Sequence, residues 1–478
     1  MCGIFGISNH AEASRMTYLG LYALQHRGEL GAGIATWNQG DLSVHGGSGL
    51  VQDVFTEEQI AALKGEIAIG HNRCATAGNG HDVRFQPILI ECAYGKLAVC
   101  MDGRIANANA LRKELIAQRA TLQTDADAEL LANLIARVEY DHRKDPYDDL
   151  LLYALTLALD RVRGAYSFLI IQDNRLFAGC DPLGLRPLTL GKLGRSLVVS
   201  SETCALDLAE ATWIKDVEPG EILLINSPGI TGEEGVSRVA HSTSIRGQLA
   251  TSQARCVFEL AYRGRPDSVI FGQTALVARN NIGRILAQEN PIKSGSNTIV
   301  VPVPDSGRDI AIGYAKELGI KLELQGIIRN HYVYGMQAFA IRDPLERLRI
   351  KYNVDKHLVF GKRIILIVSS MLRANTVRFL ITELRKSGAK QIHVRVGFPP
   401  FKFPCEFGVP TPPREELRAS NSSSEEMCKF VDATSLSFIS PEGLFQAVGR
   451  SENKSCSACF TGRIPITMPQ ELVAILSK

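Results

Sequence analysis

The chain has 478 residues, which suits two or three domains better than one core, and its 45% hydrophobic and 22% charged residues exclude a disordered chain. A net charge of +3 over that length leaves no electrostatic footprint for a nucleic-acid partner. No apolar run is long enough to cross a bilayer and the N-terminus lacks a signal peptide's pattern, so the expectation is a cytoplasmic protein with no membrane partner.

In chain order, short apolar runs come first: Ile4 to Ile7, Ile67 to Ile69, Leu97 to Cys100, Ser167 to Ile171, Leu197 to Ser200 and Ile222 to Ile225. They read as strands separated by helical patterns at Ala126 to Val138 and Leu150 to Leu159, which predicts an α+β layered domain over residues 1–240. A Ser-, Gly- and Glu-rich loop is expected from Ser227 to Ser244. In the next region, 241–445, buried-strand runs (Thr298 to Val303, Ile364 to Ile367, Ile392 to Val396) alternate with helices (Ala275 to Ala287, Asp309 to Leu318, Thr376 to Ser387). That rhythm predicts βαβ units around a parallel sheet. Beyond Pro399 the chain is expected to be loop-rich, with a polar stretch at Ser420 to Glu426 and a C-terminal tail over 446–478.

A cysteine directly after Met is left first when Met1 is removed, and its α-amine then serves as base for its own thiol. Cys2 alone is weak evidence. It heads Met1-Cys-Gly-Ile-Phe-Gly6, followed by Leu24-Gln-His-Arg-Gly28, Gly70-His-Asn-Arg-Cys-Ala-Thr-Ala-Gly78, and Thr124-Asp-Ala-Asp127 with Glu129. These motifs, in this order, resemble the amidophosphoribosyltransferase family of class II glutamine amidotransferases, over essentially the whole chain. The resemblance implies an N-terminal-nucleophile domain with α/β/β/α layers, followed by a phosphoribosyltransferase-like α/β domain. It also implies that Cys2 attacks the glutamine amide, that Arg73 pairs with the α-carboxylate and Asp127 with the α-amine, and that Thr76 and Gly28 shape the pocket. Taken singly, Arg73 reads as a surface salt bridge and Asp127 as a helix cap.

The sequence departs from the family at Asp102-Gly103-Arg104, where the family has Asn-Gly-Asn and uses the first Asn and the Gly amide as oxyanion donors. An ionised Asp102 can only accept, and loss of one such donor costs about a hundredfold to a thousandfold in rate. Three escapes stay open: protonation of Asp102 by burial, pairing with Arg104, or a substrate other than glutamine.

Arg265-Pro-Asp-Ser268, Val301-Pro-Val-Pro-Asp-Ser-Gly307 and Gly361-Lys-Arg-Ile-Ile-Leu-Ile367 keep the frame of a domain that binds phosphoribosyl pyrophosphate (PRPP). In the binding loop, Val368 and Ser369 replace the family's two acids and Ala374 replaces its Gly. Magnesium binding and ordinary PRPP turnover are therefore not expected, and Ser370, Arg373, Asn375 and Thr376 are left as a small polar cup. The segment that closes over PRPP in the family has become Asn330-His-Tyr-Val-Tyr-Gly-Met-Gln, with His331, Arg342 and Arg347 nearby.

An odd count of eleven cysteines argues against a disulfide framework, and a bare Cys456-x-x-Cys459 fits a zinc half-site or a redox pair as well as a cluster. By the resemblance, Cys256, Cys405, Cys456 and Cys459 fall where iron-sulfur members of the family hold a [4Fe-4S] cluster, expected to be structural. Cys74, Cys92, Cys100, Cys180 and Cys204 read as small core residues.

Three functions stay open. The preferred one is an altered amidotransferase acting on glutamine or a related amino acid with a changed acceptor. The second is a silent paralogue acting as a regulatory subunit, and the third is the ordinary enzyme of purine synthesis. A homo-oligomer is expected, or a hetero-complex with a functional paralogue.

Overall fold

The computed structural model describes residues 2–74, 85–141, 143–144, 149–226, 238–245, 253–293, 295–332 and 343–466. Two antiparallel sheets form the first domain. One has seven strands in the order Thr212–Asp216, Thr189–Leu193, Ser196–Ser200, Gly3–Ser8, Ile67–Arg73, Gly31–Asn38 and Asp41–Ser48. The other has six, in the order Arg238–Ser244, Glu221–Asn226, Arg175–Cys180, Gly164–Gln172, Gly95–Ile105 and Ile88–Cys92.

Between the sheets lies a dry layer in which Ile4, Ile69 and Val199 meet Cys100, Leu169 and Leu223. On the outer face of the first sheet, the helices Ala13–Ala23 and Thr203–Leu208 pack through Leu21 and Leu206. On that of the second, Ala108–Ala117, Asp127–Ala136 and Leu150–Asp160 pack through Leu111, Leu131 and Leu155. The layers are therefore α/β/β/α, because each sheet buries alternate residues on both sides.

The second domain is built on a parallel five-stranded sheet, ordered Lys321–Leu322, Thr298–Pro302, Arg363–Val368, Gln391–Val396 and Ser435–Phe438. Along Arg363–Val368 the pleat divides the side chains. Ile365 and Ile367 join the core under helices Ala275–Glu289 and Arg308–Leu318. Ile364, Leu366 and Val368 face the core under Asn375–Lys386 and Ser424–Val431.

Two sequence expectations are corrected. The stretch expected as loop to Ser244 contains the strand Arg238–Ser244, paired with Glu221–Asn226, so the first domain runs past residue 240. Its alternating Arg238, Val239, Ala240 and His241 give only a short, weak strand signal, which the neighbouring edge completes. The polar stretch at Ser420 to Glu426 opens a helix instead of a loop. Ser423 accepts from the Glu426 amide while the Glu426 carboxylate accepts from the Ser423 amide, a capping box that starts Ser424–Val431. Within the tail, Ser455–Cys456 pairs in parallel with Arg255–Cys256 of the second domain.

Candidate active site

Cys2 is buried and stands immediately before the strand Gly3–Ser8. Two glycines let other motifs close on it. A Cβ at Gly28 would lie 2.6 Å from the carbonyl carbon of Arg73, so only glycine lets the Gln25–Arg27 turn lie against the end of the strand Ile67–Arg73. A Cβ at Gly103, where φ is +128°, would lie 1.9 Å from the carbonyl oxygen of Ala165.

The Cys2 backbone nitrogen donates to Asp102 Oδ1 at 2.5 Å. Arg27 binds both members of that pair, donating from Nε to the Cys2 carbonyl at 2.7 Å and from Nη2 to Asp102 Oδ2 at 3.2 Å. The rest of the guanidinium is also engaged. Nη1 donates to Glu202 Oε1 at 2.6 Å and Glu259 Oε2 at 3.1 Å, and Nη2 to Glu259 Oε1 at 3.2 Å. Arg186 Nη1 reaches Glu259 Oε1 at 3.1 Å. Glu259 belongs to the second domain, so this network is also the polar joint between the domains.

All five side chains are sealed from water. Burial by itself would raise the Asp102 carboxyl, but Arg27 and Arg186 outweigh it and hold the group below the usual carboxylate range. Burial is likewise overcome at Glu202, which His26 and Arg27 hold well below its ordinary value. Asp102 is therefore an ionised acceptor, and its counter-ion is Arg27. The two expected escapes, protonation and pairing with Arg104, are not what the structure has: Arg104 is half-exposed and pairs with Glu406 at 3.9 Å.

Asp127 opens the helix Asp127–Ala136, and its Oδ2 accepts from the Ile105 amide at 2.8 Å, with Arg112 3.6 Å from Oδ1. Burial raises its carboxyl despite those partners. The bond fastens Asp127 to the end of the strand that carries Asp102 and Gly103. Arg73 is half-buried at the end of its own strand, where its carbonyl accepts from the Leu30 amide at 3.0 Å. Thr76 lies outside the described residues. Glu129 faces inward, where it accepts from the Gln123 and Thr124 amides, both at 2.7 Å, and ties down the preceding loop.

At the ends of the parallel strands, Val368 is buried in the core and Ser369 donates to Ser306 Oγ at 2.8 Å. The polar cup is only partly assembled: Asn375 and Thr376 open the helix Asn375–Lys386 and Ser370 follows the end of the strand Arg363–Val368, but Arg373 turns away to an exposed pair with Glu416 at 2.5 Å. Ala374 sits in the left-handed region at φ +64°, which glycine adopts freely and alanine does not. Ala374→Gly should accordingly raise unfolding stability by about 1 kcal/mol in denaturant melts, the relief of that strain offsetting the entropy of the added glycine. Asp305, at the end of the adjacent strand, is half-exposed and paired with Arg329. Of the segment beginning at Asn330, residues 333–342, including Arg342, lie outside the described residues.

Cys256 and Cys456 face each other in register, and with Cys405 and Cys459 they line one mostly apolar cavity closed by Phe258, Phe401 and Phe407. Burial pushes the Cys256 thiol up to about 12 and raises Cys456 and Cys459 as well. Among the described residues no three His, Cys, Asp or Glu side chains are grouped to hold a single metal ion. Four thiols lining one cavity are a donor set that a [4Fe-4S] cluster would take, each losing its proton on binding iron. Cys100, Cys180 and Cys204 are buried as expected, whereas Cys74 and Cys92 are only half-buried.

With this geometry in place, the chain can be compared with known proteins. Residues 71–208 match the model of a glutamine amidotransferase domain. An amidophosphoribosyltransferase of Bacillus subtilis is 39% identical over 99% of this chain and 95% of its own, and one of Methanocaldococcus jannaschii is 37% identical over 97% and 98%. The chain belongs to the amidophosphoribosyltransferase family. The solved B. subtilis glutamine PRPP amidotransferase, in complex with ADP and GMP, superposes with a TM-score of 0.86 at 38% identity over 98% of both chains. Relatives bearing the name of the activity therefore match from end to end. That favours the ordinary amidophosphoribosyltransferase reading over the altered enzyme or silent paralogue that Asp102, Val368 and Ser369 suggested. It also fits a chain in which, among the described residues, no helix is long and apolar enough to cross a membrane.

Within this amidophosphoribosyltransferase fold, sequence reading missed Arg27, Arg186, Glu202 and Glu259. Arg27 was inside a quoted motif, but its carboxylate partners lie 75, 175 and 232 residues away. An arginine amid buried positions was the available signal, since such a charge needs partners.

Proposed function

We propose that the protein is a glutamine amidotransferase that delivers the amide nitrogen of glutamine to a phosphoribosyl acceptor. The observation that carries this reading is the buried Cys2 beside Gly103, with Asp127 bonded to the end of the same strand. In this scheme the Cys2 thiolate attacks the side-chain carbonyl carbon of glutamine, and Arg73 and Asp127 hold the amino acid by its carboxylate and ammonium. The C–N bond breaks, ammonia leaves, and water then hydrolyses the thioester to glutamate and the free thiol. Ammonia displaces pyrophosphate from C1 of PRPP at the C-terminal ends of the parallel strands, giving phosphoribosylamine. Cys256, Cys405, Cys456 and Cys459 would hold a [4Fe-4S] cluster, which supplies a cross-link between the tail and the second domain and takes no part in these steps.

A second reading keeps the glutamine half and changes the acceptor. It is favoured by the strand end at Val368 and Ser369, where Val368 is buried in the core and Ser369 donates to Ser306.

The test is to measure glutamate and pyrophosphate release together, with glutamine, magnesium and PRPP. Equal release of both is expected; glutamate without pyrophosphate would shift the conclusion to the second reading. In parallel, 6-diazo-5-oxo-norleucine should add once to Cys2 by intact mass, and an unlabelled protein would refute both readings.

A further inference from the structure

Three fully buried carboxylates, Asp102, Glu202 and Glu259, share two buried guanidiniums, Arg27 and Arg186. Two guanidiniums alone do not balance three carboxylates, and an uncompensated buried charge is costly, so a third cation is needed beside these acids. His26 is such a cation for Glu202, 2.9 Å away, and among the described residues it has no bond to Asp102. Against Asp102 itself the remaining partner is the Cys2 nitrogen, 2.5 Å from Oδ1. While Met1 is attached that nitrogen is an amide. After Met1 is removed it is an amine that can carry a positive charge.

We propose that Asp102 is a positioning residue that holds the α-amine of processed Cys2 as an ammonium, so that the nucleophile rests without a free base. The inference rests on the proposed function only in taking Cys2 as an N-terminal nucleophile. Its consequence follows from counting protons. An amine with a lone pair takes the thiol proton as sulfur attacks, whereas an ammonium has no lone pair, so one proton must first be lost to solvent. A carboxylate bonded to the ammonium opposes that loss, by about 1 to 3 pH units. The other groups facing the pair do not reverse the sign. Arg27 and Arg186 are committed to carboxylates, His71 on the neighbouring strand is driven to about 3 by burial and is neutral, and burial keeps the Cys100 thiol protonated.

The test is the pH profile of Cys2 alkylation by iodoacetamide, read by peptide mass spectrometry on the full chain after intact mass has confirmed loss of Met1. In Asp102→Asn the reactive limb should lie about 1 to 3 pH units below that of the wild type, with alkylation at pH 7 at least about tenfold faster. Coincident limbs, or a limb that moves up, would overturn the proposal and leave Asp102 as a counter-ion to Arg27 alone. Should Asp102→Asn not fold, Asp102→Ala is read in the same way: a limb displaced downward from that of the wild type is expected, and coincident limbs refute the latch. Alkylation needs no glutamine, so a protein with the displaced limb that ignores 6-diazo-5-oxo-norleucine keeps this inference and loses the proposed function. Glutamine turnover with coincident limbs does the reverse.

Discussion

Arg27→Met should remove most of the protein's folding stability near neutral pH and reverse how that stability depends on pH. In the wild type, Asp102 and Glu202 are held below their ordinary values, so they stabilise the fold above about pH 4, and that contribution is lost as pH falls through their folded-state values. Methionine fills much of the same volume but leaves Asp102, Glu202 and Glu259 in a dry site with Arg186 and, at Glu202, His26 opposite them. Breaking one buried pair costs about 3 to 5 kcal/mol, and Arg27 serves three acids, so the expected loss rivals the whole stability of an ordinary domain.

The orphaned carboxylates would then fold only by taking protons, with folded-state values above the unfolded ones. The variant's residual stability should therefore be greatest near pH 4 and decline as pH rises toward 7. Thermal melts of both proteins across pH 4 to 8 read this directly. Parallel pH profiles would show that Arg27 is not the counter-ion on which the network depends. Because Glu259 lies in the second domain, the variant should also lose the single cooperative transition and melt in two steps.

Ser369→Asp should raise affinity for PRPP in the presence of magnesium by about 10- to 100-fold. At present Ser369 Oγ donates to Ser306 Oγ at the end of the parallel strand, and neither hydroxyl accepts from a ribose as strongly as a carboxylate does. A hydrogen bond to a charged group contributes about 1.5 to 3 kcal/mol, which converts to that range. A carboxylate there would also stand beside Ser306, and carboxylate oxygen is the donor a hard cation such as magnesium takes. Val368 is the poorer place to restore an acid, since it is buried in the core beneath Asn375–Lys386. Isothermal titration with Mg2+ and PRPP checks the point. Saturable heat in both proteins, tighter in the variant, is the expected result. Flat titrations in both would mean that the second domain has changed its ligand, and equal affinities that Ser369 does not face it.

Sequence alone determined the architecture and put Cys2 forward as the candidate nucleophile, because both are written locally. Short apolar runs mark Gly3–Ser8 and Gly164–Gln172 as strands, both buried throughout, and the βαβ rhythm around Thr298–Pro302 and Arg363–Val368 marks a parallel sheet. Cys2, Gly28, Arg73 and Asp127 were legible from their motifs. The structure adds why the glycine must be one: the Gly28 backbone rests on Arg73. Elements whose signal is weak or purely polar, Arg238–Ser244 and Ser424–Val431, needed a partner edge or a cap in place before they could be read.

What only the tertiary structure decided is the charge state around Cys2. Asp102 could be seen in the sequence, but its ionisation depends on how much burial costs against which cations lie within reach. Those cations and the acids sharing them come from positions 27, 186, 202 and 259, brought into one dry space by folding. A residue's partners at such separations leave no periodicity or motif behind. They exist only once the two sheets and the second domain have closed on one another.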